Sequence, residues 1–250
     1  AFRRAVQMVY QDPYSYMNPR MSVGRIITEP LEVHRIGTAA SRRDVAANAL
    51  ESVGLRASHL SRYPHAFSGG QRQRIAIARA IVLHPDVVIA DEPVSALDVS
   101  VQAQVLTLLQ DLQEELGLTY LFIAHDLGVV RHLSNRIAVM YLGRIMEVAR
   151  TDDLLGHPFH PYTEALISAV PVPDPTATQS PIVLSGDIPS PAAPPPGCPF
   201  HTRCRYAQPR CSSDVPPLQE IEPGRQVACH FPLRYSRSGP TPSSDPVARQ

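Results

Sequence analysis

Val87-Val88-Ile89-Ala90-Asp91-Glu92-Pro93 is the stretch whose reading decides the fold. Four apolar residues without polar alternation read as a strand buried on both faces, the habit of parallel sheets covered by helices. The following proline ends it. Asp91 and Glu92 then stand at the carboxyl edge of the sheet, where α/β folds gather their ligands. One acid in that place can hold Mg²⁺ through water, and a second can orient or deprotonate an attacking water. The plainer alternative is a capped, solvated strand end.

The neighbouring segments support parallel pairing. On the N-terminal side, Arg72 to Ile81 is rich in helix formers and stops before His84-Pro85. On the C-terminal side, Val101, Val105, Leu108, Leu109, Leu112 and Leu116 make one helical stripe that Gly117 can close, and a second buried strand is expected over Leu118 to Ala124. Strand, helix, strand argues for α/β. Farther out, Val6 to Tyr10 is a short strand stopped by Gln11-Asp12-Pro13. A loop is expected after it, then a helix capped at Ser41, with Val45, Ala49, Leu50 and Val53 at helical spacing up to Gly54.

Ser68-Gly69-Gly70-Gln71 lies where a loop enters a helix, so small residues permit close backbone approach and the first helical amides can face an anion. Ser-Gly-Gly is also common turn chemistry. His125 ends the second strand and gains interest from sharing an edge with Asp91 and Glu92. In order along the chain, Gln11, Phe67 to Arg74, Val87 to Pro93, Ser95-Ala96-Leu97-Asp98 and Ala124-His125-Asp126 resemble the Q-loop, signature, Walker B, D-loop and H-loop of ABC ATPases.

That resemblance covers the chain to about Arg150 and implies a partial P-loop NTPase domain with a helical signature subdomain. It implies that Asp91 holds Mg²⁺, Glu92 is the general base, His125 contacts the γ-phosphate of ATP and Gln11 senses it. Ser68, Gly69, Gly70 and Gln71 would bind the nucleotide held by a second ABC ATPase subunit, and Asp98 would line the dimer seam. No Gly-x-x-x-x-Gly-Lys-Ser/Thr occurs in the sequence. Because the chain opens on Ala-Phe-Arg-Arg-Ala-Val without Met, as if inside a domain, the loop that cradles the β- and γ-phosphates is expected upstream of it.

Of the 26 prolines, twenty lie at or beyond Pro158, so a loop-rich extension is expected after a boundary near His157: residues 1–156 form the ATPase domain, and 157–250 a second domain with a disordered tail from about 236. His157-Pro158-Phe159-His160-Pro161-Tyr162 and Gly197-Cys198-Pro199-Phe200-His201-Thr202-Arg203-Cys204 resemble the C-terminal domain of oligopeptide and dipeptide importer ATPases. All four cysteines fall here, with spacing C-x₅-C-x₆-C-x₁₇-C. Clustered thiols in a chain without a secretion signal suggest a soft metal centre, with His201 and His230 as nitrogen alternatives. The resemblance implies a [4Fe-4S] cluster on Cys198, Cys204, Cys211 and Cys229, with Zn²⁺ as the alternative. Its role would be structural, a cross-link among segments with little apolar material.

Lys plus Arg and Asp plus Glu are both 23, so no net field gathers nucleic acid. The apolar runs fall far short of the roughly 20 residues that cross a bilayer. The resemblance places the subunit on the cytoplasmic face of the cell membrane, in a homo- or heterodimer under two transmembrane permease subunits served by an extracytoplasmic peptide-binding protein. A soluble ABC ATPase of non-transport function is the competing class, and nickel or glutathione the alternative cargo. These 250 residues alone are expected to show no ATP turnover above background, measured by phosphate release; turnover that Glu92→Gln abolishes would contradict this.

Overall fold

In the computed structural model, which describes residues 2–171 and 181–233, β1 (Val6–Val9), β2 (Val87–Asp91) and β3 (Thr119–Ile123) form a parallel sheet in that order. The register runs Val6 to Val87, Val9 to Ala90, Val87 to Thr119 and Asp91 to Ile123. Seven helices accompany it: α1 (Phe2–Ala5), α2 (Pro13–Tyr16), α3 (Val23–Val33), α4 (Ala39–Ser52), α5 (Gly69–Ile81), α6 (Val99–Leu116) and α7 (Leu127–Leu133). Val9, Val88, Ile75, Ile77, Leu109 and Leu112 are among the side chains of their shared core.

The α/β reading holds, and so does the helix ending at Gly117, whose φ of 64° gives the left-handed C-cap that glycine adopts without strain. Three expectations are corrected. The stretch after Pro13 is not a loop: Val23, Ile26, Ile27, Pro30 and Leu31 are buried along one face of α3, a helical stripe that includes the proline. The cap of α4 is Thr38, with Ser41 completing a reciprocal capping box from the third helical position. Neither strand is buried on both faces. β2 alternates between buried and half-buried residues, and Leu121 and Ile123 of β3 are 56% and 45% exposed. β3 is one of the two edge strands among the described residues, and of its side chains Tyr120 and Phe122 turn toward the core.

The chain divides into two packed units at Leu133/Ser134. In the second, β4 (Arg136–Tyr141) and β5 (Arg144–Arg150) are antiparallel and joined at Leu142-Gly143, both with positive φ as a tight hairpin turn requires. Then follow α8 (Thr151–Gly156), α9 (Pro161–Ser168), α10 (Pro209–Ser213), β6 (Gln219–Glu222) and β7 (Arg225–Val227). The sheet order is β4-β5-β7-β6. The extension is therefore more than loops, because β7 is an interior strand of this sheet. Its pairing of Glu147 with Val227 and Val148 with Gln226 ties the hairpin at 136–150 to the C-terminal residues, so packing divides the chain earlier than the prolines do. The tail from 236 lies outside the described residues. No described helix is long and apolar enough to cross a membrane.

The start of α5 packs closely on α6. A Cβ at Gly70 would stand 2.5 Å from Val101 Cγ1, and the stiff, branched valine in a helix has little room to yield. Gly70→Ala is expected to cost about 1–3 kcal/mol as overpacking does, read as a lower urea midpoint.

Candidate functional site

Parallel pairing brings the ends of β1, β2 and β3 to one edge, and Glu92 is the point of convergence. Gln11, just beyond β1, donates from Nε2 to Glu92 Oε2 at 2.7 Å. His125, just beyond β3, places Nδ1 3.2 Å from Glu92 Oε1. The Glu92 amide donates to the Ile123 carbonyl at 2.9 Å, which prolongs the β2–β3 pairing past Asp91. Glu92 itself has a φ of 43°, so the chain turns there. Ser95 steadies that turn by donating from Oγ to the Glu92 carbonyl at 3.0 Å, and Gln11 Nε2 reaches its hydroxyl at 3.5 Å.

The sequence therefore brings Gln11, Glu92 and His125 together, with Asp91 adjacent at the strand end. Ser95 was not singled out beforehand, although its place three residues after Glu92 in a turn is the signal that could have found it. The His125 side chain is 70% exposed and that of Glu92 24%. Water reaches the pair, and a carboxylate bridged by an amide and an imidazole is oriented for use as a base.

Ser68 and Asp98 are the residues preceding α5 and α6. Ser68 Oγ accepts the Gln71 amide at 3.3 Å, and Gln71 Oε1 accepts the Ser68 amide at 3.1 Å. The Gln71 side chain is thus occupied in closing the helix start. The next amides, of Gly69 and Gly70, carry no Cβ beside them, and this start presents the positive end of the 13-residue α5. Asp98 makes no side-chain cap bond. Its carbonyl accepts from Val101 and Gln102.

In the second unit Cys198, Cys204, Cys211 and Cys229 all line one small cavity, and none forms a disulfide. The Cys198 amide donates to the Cys211 carbonyl at 2.8 Å. A Cβ at Gly197, whose φ is 71°, would collide with that carbonyl, so glycine permits the approach. Burial pushes the thiols of Cys198 and Cys204 up and that of Cys229 to about 12, and their mutual proximity adds to the rise. Thiols raised in this way ionise together only against a cation. Among the described residues no three His, Cys, Asp or Glu side chains are grouped so as to hold a metal ion. His201 Nδ1 and His230 Nε2 are each engaged with a backbone carbonyl, of Cys198 at 2.8 Å and Asp214 at 3.0 Å.

The cavity also has a wall that the sequence did not reveal. His160, quoted above only within the His157 to Tyr162 segment, is 1% exposed and borders the cavity. It caps α9 by accepting the Tyr162 amide on Nδ1 at 3.0 Å. Burial pushes its pKa down to about 3, so the ring is neutral. Its backbone is held by Glu147, whose carboxylate accepts from the Phe159 and His160 amides at 2.8 and 2.9 Å and lies 3.7 Å from Arg225 Nη2. Burial raises the Glu147 pKa, while those amides and Arg225 pull it down. The signal was a single acid in the apolar run of β5.

A parallel sheet whose carboxyl edge joins glutamine, glutamate and histidine, with a Ser-Gly-Gly helix start in the same unit, defines the class of ABC-type ATPases. Residues 1–95 match the ABC transporter family and residues 146–211 the oligopeptide/dipeptide transporter C-terminal region. The chain is 54% identical over 231 residues to the oligopeptide transport ATP-binding protein AppF of Bacillus subtilis, covering 92% of this chain and 70% of that protein. It is 53% identical over 244 residues to a "Probable peptide ABC transporter ATP-binding protein", y4tS, of Sinorhizobium fredii, covering 98% and 69%. Among solved structures it resembles cbiO1 of Clostridium perfringens, part of the transporter complex cbiONQ, with TM-score 0.55, 29% identity and coverage of 62% and 61%. The ATP-binding cassette MJ0796, solved as a dimer bound to ADP and Pi, gives 0.53, 30%, and 60% and 65%. The chain belongs to the oligopeptide/dipeptide-type ABC transporter ATP-binding proteins, and it is an ATPase subunit.

Glu147→Ala would leave the Phe159 and His160 amides without their acceptor and Arg225 without its buried partner charge. We expect it to destabilise the second unit by about 3–5 kcal/mol, the usual cost of breaking a buried pair from one side, measured as a lower thermal midpoint.

Proposed function

We propose that this subunit powers import of peptides across the cytoplasmic membrane, and that Glu92 is the base that activates the attacking water. The convergence of Gln11 and His125 on Glu92 carries this reading. Relatives named for oligopeptide and peptide transport supply the cargo. ATP would enter with Mg²⁺, held through Asp91, and the ion would neutralise charge on the β- and γ-phosphates. Glu92 accepts the water's proton, His125 donates to the γ-phosphate, and Gln11 releases Glu92 when nucleotide is present. The start of α5, with Ser68, Gly69 and Gly70, faces the nucleotide of a second ATPase subunit across a seam lined by Asp98.

Closure of the two subunits on ATP would drive two permease subunits at the cytoplasmic face, to which an extracytoplasmic binding protein delivers peptide. Hydrolysis reopens the pair.

The second unit is proposed to hold a [4Fe-4S] cluster on Cys198, Cys204, Cys211 and Cys229. The four thiols lining one cavity fit it, since each cysteine bonds its own iron. Zn²⁺ on the same cysteines, with its thiolates about 2.3 Å from one point, is the alternative. Such a cluster would supply a cross-link and a redox centre to a unit otherwise knit by a short sheet.

The test is the full-length subunit assembled with its permeases in vesicles. Glu92→Gln should bind ATP while hydrolysis and peptide uptake fall by about 10²- to 10⁴-fold, the contribution of a general base. Normal turnover in that variant would remove Glu92 from the role. Protein purified without oxygen should be brown and carry about four irons, and colourless protein with one zinc would replace the cluster reading.

A further inference from the structure

His160 is a buried side chain that the ATPase reading does not use. Its Nδ1 accepts the Tyr162 amide at 3.0 Å, so the ring proton sits on Nε2. That Nε2–H finds no hydrogen-bond partner among the described residues, and the residue is 1% exposed. The open space that the ring borders is the cavity lined by the four cysteines. Phe200 borders it too, its ring 5.8 Å from that of His160, and leaves that wall apolar. The ring cannot easily turn away, because the Phe159 and His160 amides are fixed on Glu147 and Nδ1 on α9.

We propose that His160 is a positioned hydrogen-bond donor to the iron–sulfur cluster, its Nε2–H directed into the cysteine cavity toward a cluster or cysteine sulfur, where it raises the reduction potential. This rests on the cluster reading above. A donor to sulfur stabilises the reduced, more negative form, and hydrogen bonds to the sulfurs are among the factors that set these potentials. The same side chain caps α9, so its two nitrogens have separable duties.

Two substitutions separate them. His160→Asn keeps an oxygen near the place of Nδ1 to cap α9 and deletes the reach of Nε2. His160→Gln keeps an N–H near the place of Nε2 and gives up the cap. The full-length protein, purified without oxygen, is titrated potentiometrically, with pulsed electron resonance of the reduced cluster in H₂O and D₂O.

We expect His160→Asn to keep its irons, lose an exchangeable-proton coupling and shift about tenfold toward the oxidised form at fixed potential, about 59 mV for a one-electron couple. His160→Gln should stay near the wild-type potential with a lower thermal midpoint. A loaded His160→Asn protein with wild-type potential and coupling overturns the proposal while leaving the cluster in place. Should His160→Asn load no iron, the potential and coupling of His160→Gln decide: unchanged values support the donor and shifted ones overturn it. Wild-type protein without iron overturns the cluster reading, and this inference with it.

Discussion

Three strands that pair in parallel must all end at the same edge, and the ATPase unit depends on that directional constraint. Gln11, Glu92 and His125 are separated by long stretches of chain, yet each follows its strand by a residue or two. The pairing of Val9 with Ala90 and of Asp91 with Ile123 brings them within hydrogen-bond distance without any dedicated scaffold. The cost is local. Glu92 takes a positive φ that non-glycine residues avoid at roughly 1–2 kcal/mol. Its amide, bonded to Ile123, and its carbonyl, bonded to Ser95, hold the chain in that conformation. A carboxylate on a continuing strand would alternate to a face of the sheet; on a turned backbone it stays at the edge, between the amide and the imidazole.

The two helix starts obey a different constraint, steric rather than directional. An ideal Cβ at Gly69 would meet Leu97 at 3.6 Å, and one at Gly70 would press on Val101. Gly70 is thus required by packing against the first turn of α6, whereas a Cβ at Gly69 would make only ordinary contact. Ser68 and Gln71 spend their side chains on each other. This leaves the backbone amides, the Ser68 hydroxyl proton and the helix dipole as what the start of α5 can present to an anion.

Legibility followed the kind of interaction. Glu92, Gln11 and His125 were readable because each sits where a strand pattern stops, and strand ends in a parallel sheet share an edge. The α6 stripe was readable because leucine and valine at helical spacing have no competing explanation. Helix α3 was not, since Pro30 looks like a breaker. In the fold its ring lies on the buried stripe with Ile26, Ile27 and Leu31, so apolar burial offsets the one intrahelical amide bond that proline forgoes. The half-exposed strands were misread because a short apolar run has the same composition whether one face or both are covered. The four cysteines were legible as a group by their spacing. Glu147 and His160 were not, because nothing local marks a polar side chain as buried: their partners lie on segments joined only through β5 and β7.

Arg225 shows what that joining demands of one residue. Every basic residue other than histidine in this chain is arginine, and here lysine would not serve. Arg225 Nη2 donates to the His157 carbonyl at 2.5 Å and lies 3.7 Å from Glu147 Oε1. Nη1 lies 3.5 Å from Glu222, and the guanidinium stacks 3.7 Å over the Phe159 ring. A planar fork can face a ring while its edges serve acceptors in different directions, whereas an ammonium is a point charge with neither plane nor fork. Phe159 and His157 flank the turn that delivers His160 to the cysteine cavity, and Glu147 holds that turn from the other side. The placement of a neutral imidazole beside four thiols is therefore determined by a buried charge pair on β5 and β7. The strand pairing of Glu147 with Val227, two residues beyond Arg225, is what keeps that pair in register.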